Sequence, residues 1–286
     1  MEQIRTIEAN GVEFAYFSMG SGPLALCLHG FPDSAHTWRH LLPELAERGY
    51  HAVAPFMRGY APTAVPADGA YEAGALVADA VALHDAFGGD GDAVIIGHDW
   101  GALPVYGATS FAPGRWRTGV AMALPPVGSM LAGFFDYEQL RRSFYIFLFQ
   151  TPLAEAAAST PGFFEGLWRD WSPGHRAEDD VAHVKECLRD PANLAAAIGY
   201  YRAMLGTTPP TGRYEEEQAA AGRVGERPLL YLHGLDDGCL GAEVAKDVTA
   251  HLPPGSRAEY VADAGHFLHL ERPREVDDLI LRWLES

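Results

Sequence analysis

Ala93-Val94-Ile95-Ile96-Gly97-His98-Asp99-Trp100-Gly101-Ala102 passes from a short apolar run, through a turn with a glycine at each end, into a helix-forming stretch that continues to Phe111. Four apolar residues bounded by glycine read as a buried strand. The glycines permit a turn tight enough to push the Asp99 side chain out above the end of that strand, the geometry of a nucleophile elbow. A carboxylate presented in this way needs no base to attack a saturated carbon. The product of such an attack is an alkyl-enzyme ester, so water has to be delivered to that ester in a second step, and this step requires a general base.

Strand and helix signals alternate on both sides of the elbow. Val12 to Ser18 and Leu24 to Leu28 read as strands, and Ser34 is the expected N-cap of a helix whose apolar face is Trp38, Leu41, Leu42 and Leu45. Tyr50 to Pro55 is extended again. Leu76, Ala80, Leu83 and Phe87 mark a further amphipathic helix, and Thr118 to Leu124 a strand. Near the C-terminus Leu229 to Leu232 and Ala258 to Val261 resume the strand pattern, and Pro273 opens a helix carrying Val276, Leu279, Ile280, Trp283 and Leu284. The alternation predicts an α/β fold with a mostly parallel sheet flanked by helices. Between residues 129 and 225 the strand signals stop and aromatic residues become dense. That segment is expected to be an inserted helical cap between core parts 1–128 and 226–286.

With 286 residues, 48% of them apolar and 21% charged, the chain has the composition of a folded globular protein and no room for a long disordered tract. Its 38 acidic against 21 basic side chains give a net charge of −17 with no basic stripe, which excludes nucleic acid as an expected partner. Met1 to Asn10 has no apolar h-region, and the longest compact apolar stretch, Phe144 to Phe149, is far short of a membrane span. A cytoplasmic location with no membrane partner is expected. The three cysteines, Cys27, Cys187 and Cys239, are isolated and read as buried thiols, with Cys239 close to the Asp236-Asp237 turn.

The candidate base is His266, in Ala264-Gly265-His266-Phe267-Leu268, just after the last strand signal. Its place downstream of the elbow fits the order nucleophile, acid, histidine. The acid is expected after Leu229 to Leu232, where His233-Gly234-Leu235-Asp236-Asp237-Gly238 offers both Asp236 and Asp237. His266 and His269 have a spacing compatible with metal binding, but no further ligand set accompanies them, so neither a metal nor a cofactor is expected.

Taken together, His29-Gly30-Phe31-Pro32, Gly97-His98-Asp99-Trp100-Gly101 and Ala264-Gly265-His266 resemble the epoxide hydrolases of the α/β-hydrolase superfamily, and the resemblance extends over essentially the whole chain. It implies the α/β-hydrolase fold and an acid at Asp237 in preference to Asp236. It also implies an oxyanion hole built from the backbone N–H groups of Phe31 and Trp100. Tyr145, in Tyr145-Ile146-Phe147-Leu148-Phe149-Gln150, and Tyr201, in Tyr200-Tyr201-Arg202, resemble the pair of ring-opening tyrosines. Helical spacing agrees for the second, since Leu194, Ile198, Tyr201 and Leu205 share one face.

The implied activity is conversion of a small apolar epoxide and water to a vicinal diol through an ester on Asp99. A haloalkane dehalogenase with the same three catalytic residues is the nearest alternative, with Trp100 and either Trp168 or Trp171 as indole donors. A non-catalytic ligand-binding protein on the same fold is a second alternative. Oligomeric state is left open, a homodimer included. The chain departs from the family at Phe56-Met57-Arg58-Gly59-Tyr60, where many members begin with Asp, and the expected consequence is altered substrate fit.

Overall fold

The computed structural model describes residues 3–286, so the first two residues of the Met1 to Asn10 segment lie outside it. Eight strands form one sheet: β1 (Arg5–Ala9), β2 (Val12–Gly20), β3 (Leu24–Leu28), β4 (His51–Pro55), β5 (Val94–His98), β6 (Thr118–Met122), β7 (Leu229–Gly234) and β8 (Arg257–Val261). Their spatial order is β1-β2-β4-β3-β5-β6-β7-β8. The β1–β2 and β2–β4 pairs are antiparallel, and all other neighbours run parallel. Every residue of β3, β5, β6 and β7 is buried, which is why these strands read as continuous apolar runs and not as alternating ones.

Helices α1 (Leu41–Glu47), α2 (Ala73–Ala86) and α3 (Ala102–Phe111) connect the first six strands, and α3 has the bounds expected from sequence. Between β6 and β7 the chain inserts α4 (Val127–Gly133), α5 (Tyr137–Arg142), α6 (Phe144–Leu148), α7 (Ala154–Ala158), α8 (Phe163–Trp171), α9 (Glu178–Cys187), α10 (Pro191–Met204) and α11 (Glu215–Ala221). The last of these returns to the flank of the sheet and packs against α2 and α3. Helices α12 (Leu268–Glu271) and α13 (Pro273–Leu284) close the chain.

One local expectation is corrected. Ser34 does not cap an α-helix: the segment opens as a 3-10 turn over Ala35–Arg39, and the Ser34 hydroxyl lies 3.2 Å from His36 Nδ1. A side-chain cap is found instead at Asp190, whose carboxylate accepts from the Ala192 N–H at 2.8 Å with Pro191 in the first turn of α10. Strand β1 has no counterpart in the sequence reading, because three of its five residues are exposed and it pairs on one side only.

Candidate active site

Asp99 sits at the turn from β5 to α3 with φ +52, a left-handed conformation that non-glycine residues adopt only under constraint. The neighbouring glycines supply that constraint. A Cβ on Gly97 would strike the Gly101 carbonyl, and a Cβ on Gly101 would strike the carbonyl at the end of β3, at Leu28. Gly30 is equally confined, since a Cβ there would overlap the Asp99 side chain itself. The elbow, the end of β3 and the His29-Gly30-Phe31 loop are therefore packed backbone to backbone. This brings the Phe31 N–H to 2.7 Å from Asp99 Oδ1. The Phe31-Pro32 peptide is cis.

His266 follows β8 and faces the elbow. Its Nδ1 lies 2.9 Å from Asp237 Oδ2, and its Nε2 lies 3.6 Å from Asp99 Oδ2. Asp237 is buried and its other oxygen accepts from the N–H groups of Cys239 and Leu240 at 2.7 and 2.8 Å, whereas Asp236 is exposed. The geometry thus selects Asp237 as the partner of the histidine. Burial opposes the imidazolium, but the Asp237 carboxylate and then Asp99 overcome it and push His266 up to about 10. Burial likewise opposes the Asp237 carboxylate, and His266 more than offsets this, lowering its pKa.

A cavity of about 420 Å³ opens beside Asp99. Its walls are mostly apolar, with Leu103, Met130, Phe134 and Ile146 among them, and Tyr145, Tyr201 and Cys239 also line it. Tyr145 comes from α6 and Tyr201 from α10. The Phe31 ring stacks on Tyr145 at 6.3 Å between centroids and meets Tyr201 edge-on at 5.2 Å. Both phenols are buried, and burial, together with the nearby Asp99 charge, pushes each well above the ordinary tyrosine range, so both hydroxyls keep their protons. Among the described residues the Tyr201 hydroxyl has no hydrogen-bond partner, while that of Tyr145 meets Cys239 Sγ at 3.4 Å. Tyr200 is committed elsewhere: its hydroxyl donates to the Arg58 carbonyl at 2.8 Å. All the site residues expected from sequence are thus gathered at one place. Trp100 lies on the cavity wall with its ring edge-on to Tyr201. Its N–H, unlike that of Phe31, makes no hydrogen bond to Asp99.

Of the three indoles weighed as halide donors, only Trp100 is on the cavity wall. Trp168 Nε1 donates to the Pro32 carbonyl at 2.9 Å, and neither Trp168 nor Trp171 lines the cavity. The departure at Phe56 also lies apart from it: Phe56 packs on Phe17 and His36, while Arg58 is buried in a two-bonded pair with Asp79 at 2.6 Å, so the expected effect on substrate fit is not found at these residues.

Sequence reasoning missed Gln139 on α5. Its side-chain amide donates to the Cys239 carbonyl at 2.8 Å and accepts from the Gly241 N–H at 3.0 Å, bracing the turn that carries Asp237. It also missed the partners of His269. Its Nε2 lies against the Thr37 hydroxyl, and the groups clustered with it are not His266 but Asp33 and His98, whose ligand-type atoms and that of His269 lie within 4.8 Å of one another. Burial drives Asp33 up to about 8 and His98 down to about 3, both toward their uncharged forms. His98 Nε2 lies 2.9 Å from the His266 carbonyl and so ties the elbow to the histidine loop.

The chain is similar to known proteins over nearly its whole length. Residues 23–273 match the family model described as the alpha/beta hydrolase fold. The chain is 31% identical to Epoxide hydrolase 2 of Siraitia grosvenorii, with 100% of both chains covered, and 31% identical to Epoxide hydrolase A of Mycobacterium tuberculosis, with 98% of this chain and 96% of that one covered. The chain belongs to the epoxide hydrolase family of the α/β-hydrolase fold. Among solved structures, the Bacillus megaterium epoxide hydrolase in complex with an inhibitor superimposes with a TM-score of 0.82 at 25% identity, covering 99% of this chain and 100% of that one.

Proposed function

We propose that the protein is an epoxide hydrolase that opens an apolar epoxide on Asp99 and releases a vicinal diol, with residues 129–225 acting as the cap over the core and the reaction taking place in the cytoplasm. The observation that carries this reading is the presence of two protonated phenols, Tyr145 and Tyr201, on the wall of the same apolar cavity as Asp99. Oxygen is a poor leaving group unless it receives a proton or strong hydrogen bonds, and two protonated hydroxyl donors meet that need.

In the first step Asp99 Oδ2, the oxygen not held by Phe31, attacks a ring carbon. A carbon–oxygen bond forms to the carboxylate as the ring carbon–oxygen bond breaks, and the released oxygen takes its proton from a tyrosine. Ester formation removes the Asp99 charge, which is one of the two that raise the His266 pKa. The imidazole is thereby freed to act as a base through Nε2, which is buried and has no hydrogen-bond partner among the described residues. Water then adds to the ester carbon and gives its proton to His266, with Asp237 holding the ring. The developing negative charge falls on Oδ1, against the N–H groups of Phe31 and Trp100. Collapse expels the diol as its second oxygen takes the proton from His266, and the new carboxyl group, carrying one oxygen from water, gives its own proton through solvent to the tyrosinate left by the first step, which regenerates the carboxylate and the phenol.

A panel of aryl and alkyl epoxides assayed beside 1-bromobutane tests the reading. Diol formation from styrene oxide with no halide release is expected. Efficient halide release with no diol would replace this reading with a dehalogenase, and inertness toward both would leave a ligand-binding protein.

A further inference from the structure

Cys239 is the one thiol on the cavity wall among the described residues, and the two steps above leave it unused. Its backbone and its side chain face different partners. The N–H donates to Asp237 Oδ1 at 2.7 Å, fixing the residue to the turn that carries the acid, while Sγ lies 3.4 Å from the Tyr145 hydroxyl. That hydroxyl has no other hydrogen-bond partner among the described residues. Aromatic rings pack both phenols, Phe31, Trp100 and Phe149 at 5.1 to 5.2 Å around Tyr201 and Trp171 and Phe149 at 5.0 and 5.8 Å around Tyr145, but Tyr201 belongs to the 14-residue helix α10. Tyr145 stands on α6, a helix of five residues.

We propose that Cys239 is a positioning residue whose sulfur holds the Tyr145 hydroxyl on the cavity wall through a soft hydrogen bond that the epoxide oxygen displaces. Sulfur is a weak acceptor, so a phenol resting on it is oriented yet surrenders its proton to an oxygen acceptor at small cost. A hydroxyl at the same place would accept more strongly and retain the donor in the resting enzyme. An apolar side chain would leave the buried hydroxyl without a partner to orient it. The thiol is also suited to stand beside an electrophile, since burial holds it in its unreactive protonated form. The inference rests on the epoxide reading above.

The test is a double-mutant comparison read in a single turnover with styrene oxide, following ester on Asp99 by rapid quench and mass spectrometry. Cys239→Ala and Cys239→Ser are each made in the wild-type chain and in the Tyr145→Phe chain, with circular dichroism as the check on folding. In the wild-type background both are expected to slow ester formation about threefold to tenfold, the range an ordinary hydrogen bond supplies, while hydrolysis of the ester keeps its rate. In the Tyr145→Phe background the same substitutions are expected to change ester formation by less than about twofold, because the contact they act on is gone. Equal slowing in both backgrounds, or ester formation at the wild-type rate in the folded single variants, would overturn the assignment. If the alanine variant does not fold, the serine variant, one atom different from wild type, carries the same comparison alone. Failure of wild type to form any Asp99 ester would instead bring down the epoxide reading on which the assignment rests.

Discussion

The core face and the insertion face of the cavity are built in opposite ways. On the core side backbone contacts fix the surroundings of Asp99: Gly30, Gly97 and Gly101 leave no space for a Cβ, Phe31 donates to Asp99 Oδ1, and Asp237 Oδ1 accepts from two N–H groups. On the insertion side the two reactive hydroxyls are held by packing alone or by sulfur, with hydrogen-bonding capacity left over. A group that must hold one position throughout the reaction is locked by the fold. A group that must give up a proton is kept from strong partners beforehand, because a strong ground-state hydrogen bond would be lost again in the transition state.

Removing the spare donors gives the sharpest contrast and the largest expected effect. Tyr145→Phe and Tyr201→Phe together should abolish ring opening while leaving the fold intact, each lost donor costing on the order of 2 to 4 kcal/mol if it acts as an oxyanion-hole donor does. Either single variant should keep measurable activity. Diol formation by the folded double variant at the wild-type rate would erase the distinction between the two faces. The opposite behaviour is expected of the core face. Gly101→Ala drives a Cβ into the Leu28 carbonyl, so it should lower the stability to urea by about 1 to 3 kcal/mol, as overpacking does, besides disturbing activity. An unchanged midpoint would mean that the elbow yields more readily than its packing implies.

The two faces also differ in how far the sequence discloses them. The elbow is legible because its demands are local: a buried strand, glycines at two fixed offsets and a helix with its first residue at Ala102. Tyr201 is legible in part, since helical phase separates it from Tyr200, whose hydroxyl the fold uses on the Arg58 carbonyl. Other contacts join residues distant in sequence and have no local signature. Gln139 reaches the Cys239 carbonyl across 100 positions, and Tyr145 reaches Cys239 across 94. Strand β1 escapes notice because a mostly exposed edge strand has little apolar pattern to display. Ser34 misleads because a good capping residue precedes a turn that winds as a 3-10 helix before α1 begins.

The central claim is that Asp99 is the nucleophile and His266 the base of a separate second step. His266→Gln keeps the size of the side chain and removes the base, so this variant should still be alkylated by styrene oxide but hydrolyse its ester very slowly. Intact-protein and peptide mass spectrometry should then show the mass of one epoxide accumulated on the peptide containing Asp99. Adduct on another residue, or wild-type turnover by the folded variant, would contradict the account.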